Sequence, residues 1–272
     1  MEKKVILLLW ITAGYLGALM PGRKMERKAL PVKYFAHRGL YNNSGSAPEN
    51  TMAAFDRAVK AGYGIELDVQ LTKDEEVVVT HDFHLRRNCG IEGEVDQFTY
   101  EELQRFPVFH SKERIPLLED VLKRIDGKVP LLVELKYKEG SRICEKASQL
   151  LDLYKGTYMI ESFHPQVLLW YKQHRPQVAR GQLSMNYQKN KGWFKPQYAI
   201  MRGLLLNFLT RPDFIAYDCR NGYSLSLQIC RHLYGCPAYG WTVKNKSQLR
   251  KVKKYFDGFI FEGFRPASGP GD

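Results

Sequence analysis

Residues 64–82 read Gly64-Ile65-Glu66-Leu67-Asp68-Val69-Gln70-Leu71, then Thr72-Lys73-Asp74-Glu75-Glu76, then Val77-Val78-Val79-Thr80-His81-Asp82. The flanking runs are β-rich and the link between them is five polar residues. A parallel crossover needs a dozen residues or more, so these two runs pair as a hairpin. Similar runs recur at 32–36, 130–136, 157–161, 178–183, 213–217, 237–243 and 257–261. Helix-like stretches lie between many of them, among them Thr51–Ala61, Ser141–Tyr154 and Pro165–Gln173. In the first, Met52, Phe55, Ala58 and Val59 keep helical spacing. Strands alternating with helices imply a parallel α/β fold. Setting aside one hairpin arm leaves eight strands, which predicts an α/β (β/α)8 TIM-type barrel with an extra β-hairpin arm.

Active sites of such barrels form at the C-terminal ends of the strands. His37, Glu66, Asp68 and Glu134 all fall at or near such ends. Glu66 and Asp68, two apart on a strand, share a face. If that face is the barrel interior, they and Glu134 place three carboxylates in a buried site, and unpaired buried charge is too costly to persist. A hard divalent cation, Ca2+ or Mg2+ rather than zinc, would neutralise them. If the face is a solvent edge, Leu67 and Val69 form the core side instead. His37 and His81 flank this region and suit general acid–base work. Arg38 and Lys136 add fixed positive charge, which suits a phosphate or pairs with the carboxylates. Metal, histidines and cations together read as phosphodiester cleavage.

His37-Arg38-Gly39, Pro48-Glu49-Asn50-Thr51, Glu66-Leu67-Asp68-Val69, Thr80-His81-Asp82 and Val133-Glu134-Leu135-Lys136 together resemble the glycerophosphodiester phosphodiesterases. Ile115-Pro116-Leu117-Leu118-Glu119, Ser162-Phe163, Trp241-Thr242-Val243 and Asp257-Gly258-Phe259-Ile260 continue the resemblance in order. It implies a (β/α)8 barrel that hydrolyses glycerophosphodiesters to glycerol 3-phosphate and an alcohol. It further implies Glu66, Asp68 and Glu134 as metal ligands and His37 and His81 as the acid–base pair. By the same resemblance Arg38 and Lys136 hold the phosphate, Glu49 and Asn50 order the site, and Phe163 and Trp241 wall it. The sequence departs from the family pattern at Phe261-Glu262 and at His164-Pro165. A lysophospholipase D acting at a membrane, and a non-catalytic lipid-headgroup-binding module, are the alternative readings.

The chain has 272 residues, 44% of them hydrophobic and 26% charged, enough for a large packed core and unlike a disordered chain. Its five cysteines match neither a disulfide framework nor zinc spacing, so free thiols are expected. The net charge is +12. Residues 34–161 are net acidic, whereas no Asp or Glu occurs from Ser162 to Pro212. No nucleic-acid-binding module accompanies the basic stretches, which fit an anionic membrane surface or an anionic small-molecule or lipid phosphodiester better.

Val5 to Met20 carry no charge and end at Pro21-Gly22. Sixteen helical residues reach about 24 Å, short of a hydrocarbon core of about 30 Å. The segment, preceded by Lys3 and Lys4, is expected to be an N-terminal hydrophobic helix that anchors the chain to a membrane. A cleaved signal peptide is the alternative. Arg23, Lys24, Arg27 and Lys28 after it place the catalytic domain on the cytoplasmic side. The expected organisation is an anchor and basic linker at 1–30, the barrel at 31–265 and a flexible tail at 266–272. Within the barrel, Lys189–Arg211 mixes Trp193, Phe194, Tyr198 and Leu204–Leu206 with cations. It reads as a packed inserted helix or as an interfacial membrane segment.

Overall fold

Alternating β-branched, aromatic and leucine side chains produce nine strands. They are β1 Tyr34–Ala36, β2 Gly64–Leu71, β3 Val77–Val79, β4 Leu131–Leu135, β5 Tyr158–Ser162, β6 Arg180–Ser184, β7 Phe214–Asp218, β8 Ala238–Val243 and β9 Gly258–Phe261. The computed structural model describes residues 2–22, 30–187 and 195–267. Parallel pairing runs from β1 through β2, β4, β5, β6, β7 and β8 to β9 and back to β1, closing an eight-stranded barrel. β3 pairs antiparallel with β2, Val69 opposite Val79, and stands outside the ring as the hairpin arm. The Thr72 amide donates to Glu76 O at 3.0 Å and closes that turn.

Helices α2 (Met52–Lys60), α5 (Leu118–Ile125), α6 (Arg142–Leu153), α7 (Pro165–His174), α10 (Leu225–His232) and α11 (Lys246–Val252) lie in the intervals between strands. Short helices α3 (Arg86–Cys89) and α4 (Tyr100–Leu103) follow β3, and α8 (Pro196–Arg202) and α9 (Asn207–Thr210) precede β7. Strand alternation sorts the core into two layers. Ile65, Leu67, Val69, Val133, Ile160 and Ile215 pack outward, in one apolar cluster with Phe55, Leu122, Leu151 and Tyr171 of the helices. Phe35, Leu132, Met159, Phe214, Tyr239 and Ile260 form the barrel's separate inner cluster. Because Leu67 and Val69 face the helices, Glu66 and Asp68 face inward, which decides between the two faces open in the sequence. Both are buried.

Residues 83–117 build a small annex over β3, with its own apolar cluster of Val78, Leu85, Val95, Leu103, Val108 and Ile115. This layer is not foreshadowed by residue periodicity, because helices of four residues are too short to display a 3.6-residue period.

At the N-terminus, α1 spans Glu2–Ala18. Among the described residues, only its C-terminal end meets the barrel. Leu19 is fully buried, and Leu19 O accepts from Asn207 Nδ2 at 3.3 Å. Tyr234 Oη donates to Leu16 O at 2.7 Å. Among the described residues no helix is long and apolar enough to cross a membrane. The anchoring expectation therefore does not extend to a membrane-spanning helix. Of Lys189–Arg211, residues 189–194, with Trp193 and Phe194, lie outside the described residues, as do 1, 23–29, 188 and 268–272. The remainder is packed on the barrel: Leu204 is buried, Ser184 Oγ donates to Met201 O and Tyr217 Oη to Arg202 O, each at 2.9 Å. No disulfide joins the described residues, and all five cysteines are buried.

Candidate active site

The inward positions at the C-terminal ends of β1, β2, β4, β5, β8 and β9 converge on a cavity of about 400 Å³ lined by His37, Glu66, His81, Glu134, Glu161 and Trp241 among others. Its floor is a carboxylate cluster. One oxygen each of Glu66, Asp68 and Glu134 lies within 4.8 Å of the others. The register explains the convergence, since Asp68 stands opposite Glu134, and Glu134 opposite Glu161 on β5. Lys136 Nζ bridges Asp68 Oδ1 at 2.9 Å and Glu134 Oε1 at 2.7 Å. The Arg38 amide donates to Glu66 Oε2 at 2.9 Å, and its Nε lies 3.5 Å from Asp68 Oδ2. Asn50 Nδ2 donates to the same Asp68 oxygen at 2.8 Å.

Burial and mutual repulsion set the charge states here. Burial first, then Asp68 and Glu134, push the Glu66 carboxyl well above its ordinary range. Burial raises Glu134 as well, against the pull of Lys136. Asp68 goes the other way: burial would raise it, but Lys136, His81 and Arg38 together hold it well down. A cluster that stays this uncomfortable with one ammonium between two of its members fits a further cation. The donors are all hard carboxylate oxygens, which suit a hard divalent cation.

Each histidine is tied to a carboxylate through Nδ1. His37 Nδ1 lies 2.8 Å from Glu262 Oε2, and His81 Nδ1 lies 2.6 Å from Asp82 Oδ1. Nε2 is left as the remaining ring nitrogen in both; that of His37 is 3.9 Å from Glu66 Oε2. Burial lowers the His37 imidazole, and the hydrogen bond to Glu262 offsets part of that. Tyr41 Oη donates to Glu262 Oε2 at 3.0 Å, and Lys244 Nζ holds Oε1 at 2.8 Å.

Glu49 orders the next layer. It accepts from Arg38 Nη1 and from Arg87 Nη2, both at 2.6 Å, and Arg87 Nε reaches Asp82 Oδ2 at 2.5 Å. His81 is thus linked to Arg38 through Asp82, Arg87 and Glu49. Arg38 and Asn50 both adopt φ of 55°, a left-handed conformation costly for non-glycine residues. The Asn50 amide donates to Arg38 O at 2.9 Å, so the two hold each other. Phe163 and Trp241 meet edge to face, centroids 5.5 Å apart, on the cavity wall. Trp241 Nε1 is buried with no hydrogen-bond partner among the described residues.

All eleven residues singled out in the sequence therefore gather at one end of the barrel. Sequence reasoning missed Glu161, Arg87, Tyr41 and Lys244, and took Glu262 only as a departure from pattern. Glu161 had a signal: it is a carboxylate closing the run 157–161, at the C-terminal end of a strand where barrel active sites form. Burial and the nearby Glu66 and Glu134 push its carboxyl well up, towards the neutral form. Arg87 had none, because it comes from the annex.

Comparison with known proteins follows this geometry. The profile of the Glycerophosphoryl diester phosphodiesterase family matches residues 37–261. A glycerophosphodiester phosphodiesterase of Caldanaerobacter subterraneus is 34% identical over 244 residues, covering 83% of this chain and 91% of its own. A mouse lysophospholipase D is 36% identical over 155 residues, 52% of this chain and 47% of that protein. Among solved structures, an Oleispira antarctica phosphodiesterase in complex with the product sn-glycerol-3-phosphate superposes with a TM-score of 0.70 at 22% identity, covering 88% of this chain and 95% of that one. With a closed barrel, a carboxylate cluster at its C-terminal end and a family match over most of its length, this chain belongs to the glycerophosphoryl diester phosphodiesterase family.

Proposed function

We infer that the chain hydrolyses glycerophosphodiesters to glycerol 3-phosphate and an alcohol, assisted by a divalent cation at Glu66, Asp68 and Glu134. The observation that carries this reading is the placing of two carboxylate-bound imidazoles in one cavity with the three-carboxylate cluster. A bound cation would neutralise phosphate oxygens and leave phosphorus open to attack. Arg38 and Lys136 add fixed positive charge beside the same phosphate. One histidine Nε2 takes a proton from an attacking water, or from a hydroxyl of the substrate's own glycerol whose cyclic phosphate water then opens, as the attacking oxygen bonds to phosphorus. The other gives a proton to the alcohol oxygen as the second P–O bond breaks. Phe163 and Trp241 wall the glycerol or alcohol arm. The proposal is tested by assaying purified protein against glycerophosphodiesters with chelator, Ca2+ or Mg2+. Glycerol 3-phosphate should form only with a divalent ion, and full turnover in chelated protein would overturn the metal-dependent reading.

A membrane-bound substrate is the second reading, favoured by one observation: Val5 to Ile11 stand free of the barrel at 53–73% exposure. A helix apolar on all sides and outside any core favours a lipid phase. Full-length protein should then float with anionic vesicles and hydrolyse lysophospholipids faster as the acyl chain lengthens. Turnover indifferent to chain length would leave the small soluble diesters as substrates.

A further inference from the structure

Beside the catalytic cavity opens a larger cleft of about 860 Å³. The two share Tyr41, Asn43, Lys244 and Glu262, so one continues into the other. The walls of the larger one carry Arg57, Lys60, Lys244 and Arg265 and a single carboxylate, Glu262. Four cations against one anion leave a charge of +3. That carboxylate is already engaged, Oε2 by His37 and Tyr41 and Oε1 by Lys244. Among the described residues Arg57 donates only to Ser46 Oγ, at 3.2 Å. Neither it nor Lys60 nor Arg265 has an acidic partner among the described residues. Family residues of the reaction account for none of these three cations.

We propose that this cleft is a second anion subsite, and that the enzyme's preferred substrates are phosphodiesters whose leaving alcohol itself carries a further phosphate group. The inference rests on the phosphodiesterase reading and narrows its substrate class. With the scissile phosphate over the carboxylate cluster, one arm of the diester lies against Phe163 and Trp241 and the other leaves past Tyr41 into the cleft. A cationic alcohol would meet net positive charge there. A phosphorylated one would gain charge-assisted hydrogen bonds from Arg57, Lys60 and Arg265. The two asparagines on the route, Asn42 and Asn43, suit the hydroxyls of a polyol between the phosphates.

The test compares glycerophosphoglycerol with bis(glycerophospho)glycerol, whose leaving alcohol carries a further glycerophospho group. Full-length protein should favour the second in kcat/KM by about tenfold, the order expected of exposed charge-assisted contacts, and the preference should shrink with added salt. The triple variant Arg57→Gln, Lys60→Gln, Arg265→Gln should lose that preference and keep its kcat/KM on glycerophosphoglycerol within about twofold, since exposed substitutions disturb the fold little. Equal rates for both substrates in the wild type, or an unchanged preference in the variant, would overturn the subsite. If neither diester is hydrolysed with any divalent ion, the phosphodiesterase reading fails instead. The subsite is then read by calorimetric titration of bis(glycerophospho)glycerol: tighter binding to wild type than to the triple variant supports it, and equal binding refutes it.

Discussion

Two imidazoles with their Nδ1 atoms already spoken for can use only Nε2 on a substrate, and this fixes what His37 and His81 can do. Replacing either with Ala should lower kcat by roughly 10²–10⁴. The double variant should lose less than the product of the two, because both act in one reaction. A single variant near wild-type kcat would assign that residue a structural role. Glu49 makes a second prediction at this scale. Burial pushes its carboxyl up, but hydrogen bonds and charge from Arg87 and Arg38 outweigh burial and bring it from 4.5 down to about 2. A depressed carboxyl stabilises the fold above its unfolded value and loses that contribution as pH falls through the folded one. The difference corresponds to about 3 kcal/mol, present at neutral pH and fading between about pH 4.5 and 2. Glu49→Gln should therefore be less stable than wild type in urea at pH 7, with the gap narrowing steadily towards pH 2. A gap independent of pH would show that the charge of Glu49 is not what holds Arg38 and Arg87.

Among the elements, β2 supplies the site and the annex tunes it. On β2 the outward Ile65, Leu67 and Val69 join the apolar shell against the helices, and that burial compels Glu66, Asp68 and Gln70 inward. Gln70 Nε2 then donates to Thr80 O and Asp82 O, both at 2.9 Å, which ties the end of the hairpin arm to the barrel and places His81. From the annex, α3 contributes Arg87, whose guanidinium neutralises Glu49 and Asp82 together. Arg87→Ala should leave Glu49 buried with Arg38 and Asn43 but without its second cation, and free Asp82 from its second partner. The expected result is a fall in kcat of about ten- to a hundredfold, typical of residues that orient a reacting group, with metal affinity little changed. Loss of metal binding in equal measure would mean that the annex supports the carboxylate cluster rather than His81.

At the scale of the whole molecule, α1 is attached at one end only. Residues 3–14 are all exposed, whereas Leu19 fills a site between α9 and α10, where its carbonyl also accepts from Cys230 Sγ at 3.5 Å. Removing residues 2–14 should leave the thermal midpoint almost unmoved. Leu19→Ala should cost roughly 2–5 kcal/mol, as for other fully buried leucines. Equal midpoints for Leu19→Ala and wild type would mean that the N-terminal segment does not seat on the barrel in solution.

The barrel was legible in the sequence because its evidence is local. Period-two alternation, turn residues and a link too short for a crossover are properties of neighbouring residues. They placed nine strands, the hairpin arm and the helices at Met52, Arg142 and Pro165 within about three residues. Glu66 and Asp68 sharing a face also followed from spacing alone. Which way that face points did not, because it depends on which side of β2 the helices cover. The annex escaped notice because its order comes from Val78, Leu85 and Ile115 meeting across long stretches of chain rather than from helical period. Arg87 on Glu49, Glu161 beside Glu134, and Glu262 on His37, which lies 225 residues away, are likewise tertiary contacts, made by the annex, by the β4–β5 pairing and by ring closure in turn. Closing the barrel brings β9 against β1 and the strand ends into one small volume, where burial strengthens every charge interaction among them. The residue types were written in the chain, and their partners and charge states were decided by the tertiary fold.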